Sequence, residues 1–148
     1  MSLREHITAD MKEAMRARDT TRLEAVRLLR AAIQRLEIDE QIELTDVEVL
    51  SVIQKMIKQG RDSIEQFEKG DRQDLVEKET AMLTVLEPYL PDALSDEDLA
   101  ALIAEALTHT NAESIRDMGK IMGWLKPKLQ GRVDMATVSA AVREQLNR

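Results

Sequence analysis

The sequence predicts an all-α protein, with an N-terminal helical bundle of long helices over residues 1–91 and a small C-terminal three-helix domain over residues 92–148. Three observations lead to this prediction. Helix-capping motifs recur along the chain, apolar residues repeat at helical spacing, and aromatic residues make up only 2% of the 148 residues. An interior built from Leu, Ile, Val, Ala and eight Met favours helices over strands.

Four helices are predicted in the N-terminal part. Capping boxes, in which a hydroxyl and a carboxylate satisfy the first free amides, begin three of them at Ser2–Glu5, Thr21–Glu24 and Thr45–Glu48. Apolar residues three and four apart continue the third helix across Gly60, which costs about 1 kcal/mol of helix propensity. A fourth helix follows Gly70. We expect Ile57 and Leu83 to be buried between the third and fourth helices.

Two prolines mark the boundary between the parts. Pro88 and Pro91 restrict the residues that precede them, so the long helical region is expected to end there, with a link from Pro88 to Ser95. Ser95, Ser114 and Asp134 are the predicted caps of three short helices. The helix after Ser114 is expected to bury Ile115, Met118, Met122 and Leu125.

The composition excludes several kinds of site. The chain has no cysteine, so it has no disulfide, thiol nucleophile or cysteine zinc site, and two histidines are too few for a histidine-rich metal site. Neither a signal peptide nor a run of about 18 apolar residues is present, so we expect a soluble, cytoplasmic protein without membrane contact. We also expect no metal and no cofactor.

Charge is strongly sorted near the C-terminus. Residues 114–132, here called the basic segment, carry five basic residues and one acid, a net charge of +4 in a chain of −7. The preceding residues 91–113 carry six acids and no Lys or Arg, a net charge of −6. The candidate nucleic-acid-binding residues are Arg116, Lys120, Lys126, Lys128 and Arg132. A positive field beside glycines suits an anionic partner.

The arrangement of these cations favours phosphate contacts. If residues 114–126 are helical, Arg116 and Lys120 share a face, and Pro127 is expected to kink or stop the helix. Such cations would bind a phosphate backbone without reading bases, so affinity would depend on salt. The alternative is a solvated surface that balances the acidic helix before it. Trp124 also has two interpretations: its ring could stack on a base, or it could pack in the core.

A secondary basic face is predicted on the second helix. Arg27 and Arg30 lie opposite the apolar stripe of that helix, so they are expected to be exposed, either as a binding surface or as an Arg-rich solvent face. No catalytic residue is predicted. The acids fall at helix starts and exposed faces, and the phosphate-binding loop, dinucleotide fingerprint and nucleophile-elbow motifs are absent.

Four segments in order resemble the YqeY family over essentially the whole chain. They are MSLREHITADMKEAMRARD, KQGRDSIEQFEKGDRQDLVEKE, LEPYLPDALSDEDL and DMGKIMGWLKPKLQGRVD. That family is similar to the tail domain of GatB, a component of the glutamine-dependent aspartyl/glutamyl-tRNA amidotransferase. The match carries over Asp117, Met118, Gly119, Lys120, Pro127, Lys128, Gly131 and Arg132. This chain departs from the pattern with Met135 where glycine is usual and Gly60 where a charged residue is usual.

The resemblance implies an all-helical protein in two parts that helps to hold tRNA, without the catalytic domains of the amidotransferase. The first hypothesis is therefore a tRNA-binding or tRNA-amidotransferase-associated accessory module, non-catalytic by itself, whose partners are tRNA and an enzyme that modifies or aminoacylates it. The alternative is a protein-interaction adaptor that docks through exposed helical faces. A distant third is an inherited carbon–nitrogen ligase activity with glutamine as amido donor. The oligomeric state is left open.

Overall fold

The computed structural model describes residues 2–147, which form seven α-helices and two 3₁₀ turns and contain no strand. The all-α prediction is therefore confirmed. Within this part of the chain no helix is both long enough and apolar enough to cross a membrane. The chain divides into two compact units, the first ending at Leu90 and the second beginning at Pro91.

The first unit contains four helices and a short 3₁₀ turn. The helices are α1 (Leu3–Ala17), α2 (Thr20–Glu40), α3 (Asp46–Lys69) and α4 (Gln73–Leu86), and the turn is Glu87–Tyr89. The predicted capping boxes at Ser2 and Thr45 are both formed. The box predicted at Thr21 is wrong, because Arg18 ends α1 in the left-handed conformation and the Asp19 carboxylate then caps α2 directly.

Apolar side chains from all four helices form the core of the first unit. Ile7 of α1 and Leu29 of α2 are almost fully buried in it. Ile57 of α3 and Leu83 of α4 belong to the same cluster with 3% and 6% of their surface exposed, which confirms that both are core residues. Burial of this apolar surface is the main favourable term holding the four helices together.

Gly60 has a packing role that its position in the sequence did not reveal. It is buried in α3, and a Cβ added there would lie 2.6 Å from Cδ2 of Leu83 and 3.1 Å from Oε1 of Glu79. Real Cβ atoms do not approach other carbons this closely, so a side chain at this position would displace the Leu83 side chain from its observed place in the core.

A polar contact joins the end of the first unit to its beginning. The Tyr89 hydroxyl donates a hydrogen bond to Oδ2 of Asp10, and Nη2 of Arg22 lies 3.3 Å from Oδ1 of the same carboxylate. Burial raises the pKa of the Tyr89 hydroxyl, and the Asp10 carboxylate raises it further. Side chains of α1, α2 and the 3₁₀ turn therefore meet at one carboxylate.

The second unit contains three helices. They are α5 (Asp96–Thr110), α6 (Met118–Leu129) and α7 (Met135–Leu146), with a 3₁₀ turn at Ile115–Asp117. The predicted caps at Ser95, Ser114 and Asp134 each accept a hydrogen bond from a backbone amide of the following turn. The core residues are Leu99, Ile103, Ala106, Ile121, Leu125, Leu129, Val138 and Val142.

The register predicted after Ser114 is partly wrong. Leu125 is buried as expected, but Ile115 is 54% exposed and Ile121, which was not predicted, is fully buried. Residues 115–117 form a 3₁₀ turn, which has three residues per turn, so the α-helical register starts only at Met118. The helix also continues through Pro127 and ends at Leu129.

Candidate nucleic-acid interface

The amphipathic character of α6 gives it one buried face and one open face. Ile121, Leu125 and Leu129 lie four residues apart and are fully buried against α5 and α7. The opposite side carries Gly119, Lys120, Gly123 and Lys126, all of which are exposed. At 3.6 residues per turn these four positions span about 120° of the helix circumference, with the two glycines between the two lysines. We call this surface the outer face of α6.

The two glycines on the outer face have no packing reason within the second unit. A Cβ added at Gly119 or at Gly123 would meet nothing within 4 Å. Glycine inside a helix costs about 0.5–1 kcal/mol relative to alanine, so both positions sacrifice stability. Because neither glycine has a side chain, a strip of the helix backbone is uncovered and a partner can approach it closely.

Pro127 changes the hydrogen bonding beneath this strip. Proline has no amide proton, so the carbonyl of Gly123 lacks the donor that residue 127 of an α-helix would normally supply. The ring of Pro127 lies against this carbonyl instead, and Gly123 itself is exposed. The outer face therefore combines two cations with a helix backbone that no side chain covers at its glycines.

Arg116 lies before α6 in the 3₁₀ turn, so it does not share one continuous α-helix with Lys120 as the sequence had suggested. Its side chain is exposed. The adjacent acid, Asp117, accepts hydrogen bonds from the backbone amides of Glu113 and Ser114 at 2.9 and 3.3 Å. These bonds hold the pKa of Asp117 below its usual value, so it remains charged while fixing the turn.

Lys128 and Trp124 form a pair beside the outer face. Nζ of Lys128 lies 4.1 Å from the centroid of the Trp124 ring, which is a cation–π contact. The indole is half-buried against the core of the second unit, and the ring of His109 lies 5.4 Å from it. Trp124 is therefore a packing residue that also positions Lys128, and one side of its ring is already in use.

Arg132 differs from the other predicted site residues because it is half-buried and forms hydrogen bonds to the backbone of the segment that precedes α5. Its Nε donates to the carbonyl of Asp92 at 3.1 Å, and its own carbonyl accepts from the amide of Leu94 at 3.1 Å. The preceding residue, Gly131, is buried with φ of 85°, a conformation that favours glycine. Met135, where the family pattern usually has glycine, is simply the first residue of α7.

The secondary basic face lies in the first unit. Arg27 and Arg30 are both exposed on α2, as expected, and both line a groove between α1 and α2. Nη1 of Arg30 lies 2.9 Å from Sδ of Met11 on α1. Over residues 2–147, no cluster of three His, Cys, Asp or Glu residues has an arrangement that could hold a metal ion.

Comparison with known protein families identifies the chain at the family level. The family model described as Yqey-like protein matches residues 4–146. The chain belongs to the YqeY family. The resemblance noted in the sequence is thereby confirmed, and the match covers both compact units.

Three relatives of this YqeY-family chain share one name, altered inheritance of mitochondria protein 41, mitochondrial. The protein of Pyrenophora tritici-repentis is 35% identical over 141 residues, which are 93% of this chain and 77% of that protein. The protein of Lachancea thermotolerans is 29% identical over 95% of this chain and 79% of its own length. For Kluyveromyces lactis the identity is 41% over 67% of this chain and 55% of that protein.

These names correct the expected location. The sequence analysis predicted a cytoplasmic protein, whereas the three relatives are named as mitochondrial proteins, which contradicts that prediction. The features behind the prediction were the absence of a signal peptide and of a run of about 18 apolar residues. Neither feature is particular to one compartment, so composition could not separate the two locations.

Proposed function

We propose that this YqeY-family chain is an accessory module that binds tRNA, works in association with tRNA amidotransferase chemistry and does not catalyse amide transfer by itself. In this proposal residues 1–91 act as a helical bundle and residues 92–148 as a three-helix domain that holds the tRNA. The observation that carries it is the outer face of α6, where two lysines flank two glycines whose Cβ positions are open.

Electrostatics supports a polyanionic partner. Lys120 and Lys126 are exposed, and neither forms an ion pair within 4 Å in the described part of the chain, although the charge of Lys120 contributes to the lowered pKa of Asp117. Exposed cations of this kind gain little from intramolecular pairing but release counterions when they meet phosphates. The chain as a whole has a net charge of −7, which opposes nonspecific adhesion to nucleic acid.

The uncovered backbone supports RNA in particular. With no side chain at Gly119 and Gly123, a sugar–phosphate backbone can reach the helix surface between the lysines. The ribose 2′-hydroxyls of RNA, which DNA lacks, can then contact this uncovered surface. We therefore expect tRNA to bind more tightly than a DNA hairpin of the same length and sequence.

The proposal is tested by electrophoretic mobility shift of bulk tRNA over a series of salt concentrations. Replacing Lys120, Lys126 and Lys128 by Ala should weaken binding to all tRNAs alike and lower the slope of log affinity against log salt by about 2–3. Arg132 is left intact in this variant because it bonds the carbonyl of Asp92.

A matched control removes the same number of charges from the first unit. Lys12, Arg16 and Lys55 are exposed there, and their replacement by Ala should leave the affinity for tRNA nearly unchanged. Replacing Arg27 and Arg30 should also have a smaller effect than the triple lysine variant. Equal binding by the parent and the folded triple lysine variant would contradict the proposal.

A second candidate function is a protein-interaction adaptor, which a different observation favours. Leu28 and Ile38 of α2 are 48% and 67% exposed, and Ile42, just after that helix, is 47% exposed. Large apolar side chains in water favour a protein partner more than an RNA partner. Replacing Leu28 and Ile38 by Gln should abolish partner binding if the adaptor function is correct, and should leave tRNA affinity unchanged if the first proposal is correct.

A further inference from the structure

The groove between α1 and α2 has a cavity of about 400 Å³ whose lining is amphipathic. Ile7 and Ile33, both buried, form its apolar floor, and the small side chain of Ala31 leaves the space open. Its polar lining residues are Arg4, Thr8, Arg27, Arg30, Gln34 and Glu37. A groove of this volume, in which polar and charged side chains surround a small apolar floor, suits a small polar ligand with one apolar side.

The charge balance of the groove is positive. Glu37 is the only acid among the lining residues, and it is already engaged, because Arg4 forms an ion pair with it and the amide of Leu44 donates to it at 3.0 Å. Arg27 and Arg30 have no carboxylate partner among residues 2–147. Two guanidinium charges in the groove are therefore uncompensated.

The charge of these two arginines and their positions on one helix suit a doubly charged oxyanion. They lie three residues apart on α2, so they project from neighbouring positions of one helix. Contact with Met11 places the Arg30 guanidinium on the α1 side of the groove. A phosphate monoester carries a charge of about −1.5 to −2 at pH 7, which two guanidinium groups can neutralise through charge-assisted hydrogen bonds.

We propose that the α1–α2 groove binds a small phosphate monoester, with its phosphate held by Arg27 and Arg30 and its organic part lying on Ala31, Ile7 and Ile33. This site is in the first unit, so the proposal is independent of tRNA binding by α6. Thr8 and Gln34 supply polar groups in the groove that can bond hydroxyls or a base of the ligand.

An amide NMR titration of the full chain with AMP, inorganic phosphate and adenosine tests this inference. AMP should give saturable shifts confined to α1 and α2, inorganic phosphate should bind the same residues more weakly, and adenosine should bind least. Replacing Arg27 and Arg30 by Gln should weaken AMP binding by about tenfold or more, since hydrogen bonds to charged groups are lost.

Two further variants distinguish specific binding in the groove from nonspecific attraction by positive charge. Replacing Lys12 and Arg16 by Gln removes the same charge from α1 outside the groove and should leave AMP affinity unchanged. Ala31→Leu fills the groove without changing charge, so it should weaken AMP binding while leaving the weaker binding of inorganic phosphate intact. The lysine triple variant of α6 should bind AMP like the parent.

Three results would overturn the inference. The first is the absence of saturable AMP shifts in α1 and α2. The second is an equal loss of AMP affinity in the Lys12 and Arg16 control, which would mean that net charge alone attracts the nucleotide. The third is a loss of tRNA affinity but no change in AMP affinity when Arg27 and Arg30 are replaced, which would assign them to an RNA surface.

Discussion

Glycine serves opposite purposes in the α3–α4 interface and on the outer face of α6. At Gly60 a Cβ would lie 2.6 Å from Cδ2 of Leu83, so a larger residue there would push against the core side chain of the neighbouring helix. At Gly119 and Gly123 a Cβ would meet nothing within 4 Å, so no contact inside the second unit requires glycine. Packing inside the protein therefore accounts for the glycine at position 60 and not for the two on α6.

The largest change in the free energy of unfolding is expected from truncating a core residue at the α3–α4 interface. Ile57→Ala should lower the free energy of unfolding by about 2–5 kcal/mol, because Ile57 is only 3% exposed and its removal leaves a cavity. Lys55→Ala, at a nearby exposed position of α3, should change it by less than about 0.5 kcal/mol. Urea denaturation measures both. Equal losses would mean that this interface is not close-packed.

A smaller loss of stability is expected when the polar contact between Tyr89 and Asp10 in the first unit is removed. Tyr89→Phe removes the hydroxyl that donates to Asp10 and should cost about 1–2 kcal/mol at pH 7, since Asp10 keeps its contact with Arg22 at 3.3 Å. Thermal unfolding followed by circular dichroism measures the loss. Variants on the outer face of α6 should not lose stability in this way, because the side chains there are exposed.

The same tyrosine predicts a pH dependence of stability. Burial and Asp10 raise the pKa of Tyr89, so the folded protein keeps a proton that the unfolded chain releases above about pH 10. The resulting stabilisation is complete below about pH 10 and is lost as the pH rises through the folded-state pKa. The parent should therefore lose stability more steeply above about pH 10 than Tyr89→Phe. Parallel curves for the two proteins would contradict this assignment.

Gly60→Ala should reduce stability even though alanine is the better helix former. Overpacking against Leu83 costs about 1–3 kcal/mol, whereas the gain in propensity is about 1 kcal/mol, so a net loss of about 1 kcal/mol is expected. In a Leu83→Ala background the added methyl group has room, and the same change should become neutral or stabilising. A stabilising effect in the parent would show that the two helices do not need glycine here.

The sequence predicted much of the fold, because capping and apolar spacing are local signals. It placed Ser2, Thr45 and Ser95 correctly as caps, but missed Asp19, since Thr21 offered a competing capping box two residues later. The exposed Ile115 was missed because a 3₁₀ turn reset the helical register. Such turns leave little trace in the spacing of apolar residues.

The candidate site was predicted less completely, because charge alone does not reveal contacts. The sequence grouped Arg132 with the lysines, whereas the structure uses its guanidinium to bond the carbonyl of Asp92. The Trp124 ring contacts Lys128 of the same helix and the ring of His109, not a base. Gly60 and Gly123 look alike in the sequence, and only the separation of neighbouring helices distinguishes them.

The most direct test of tRNA binding by the outer face of α6 is the double change Gly119→Ala and Gly123→Ala, measured for both stability and affinity. Because both Cβ positions are open, urea denaturation should show a gain of about 1–2 kcal/mol from the two substitutions together. Mobility shift with bulk tRNA should show a loss of affinity of about tenfold, since two methyl groups would cover the backbone strip. A variant that is more stable and binds tRNA as tightly as the parent would contradict the account.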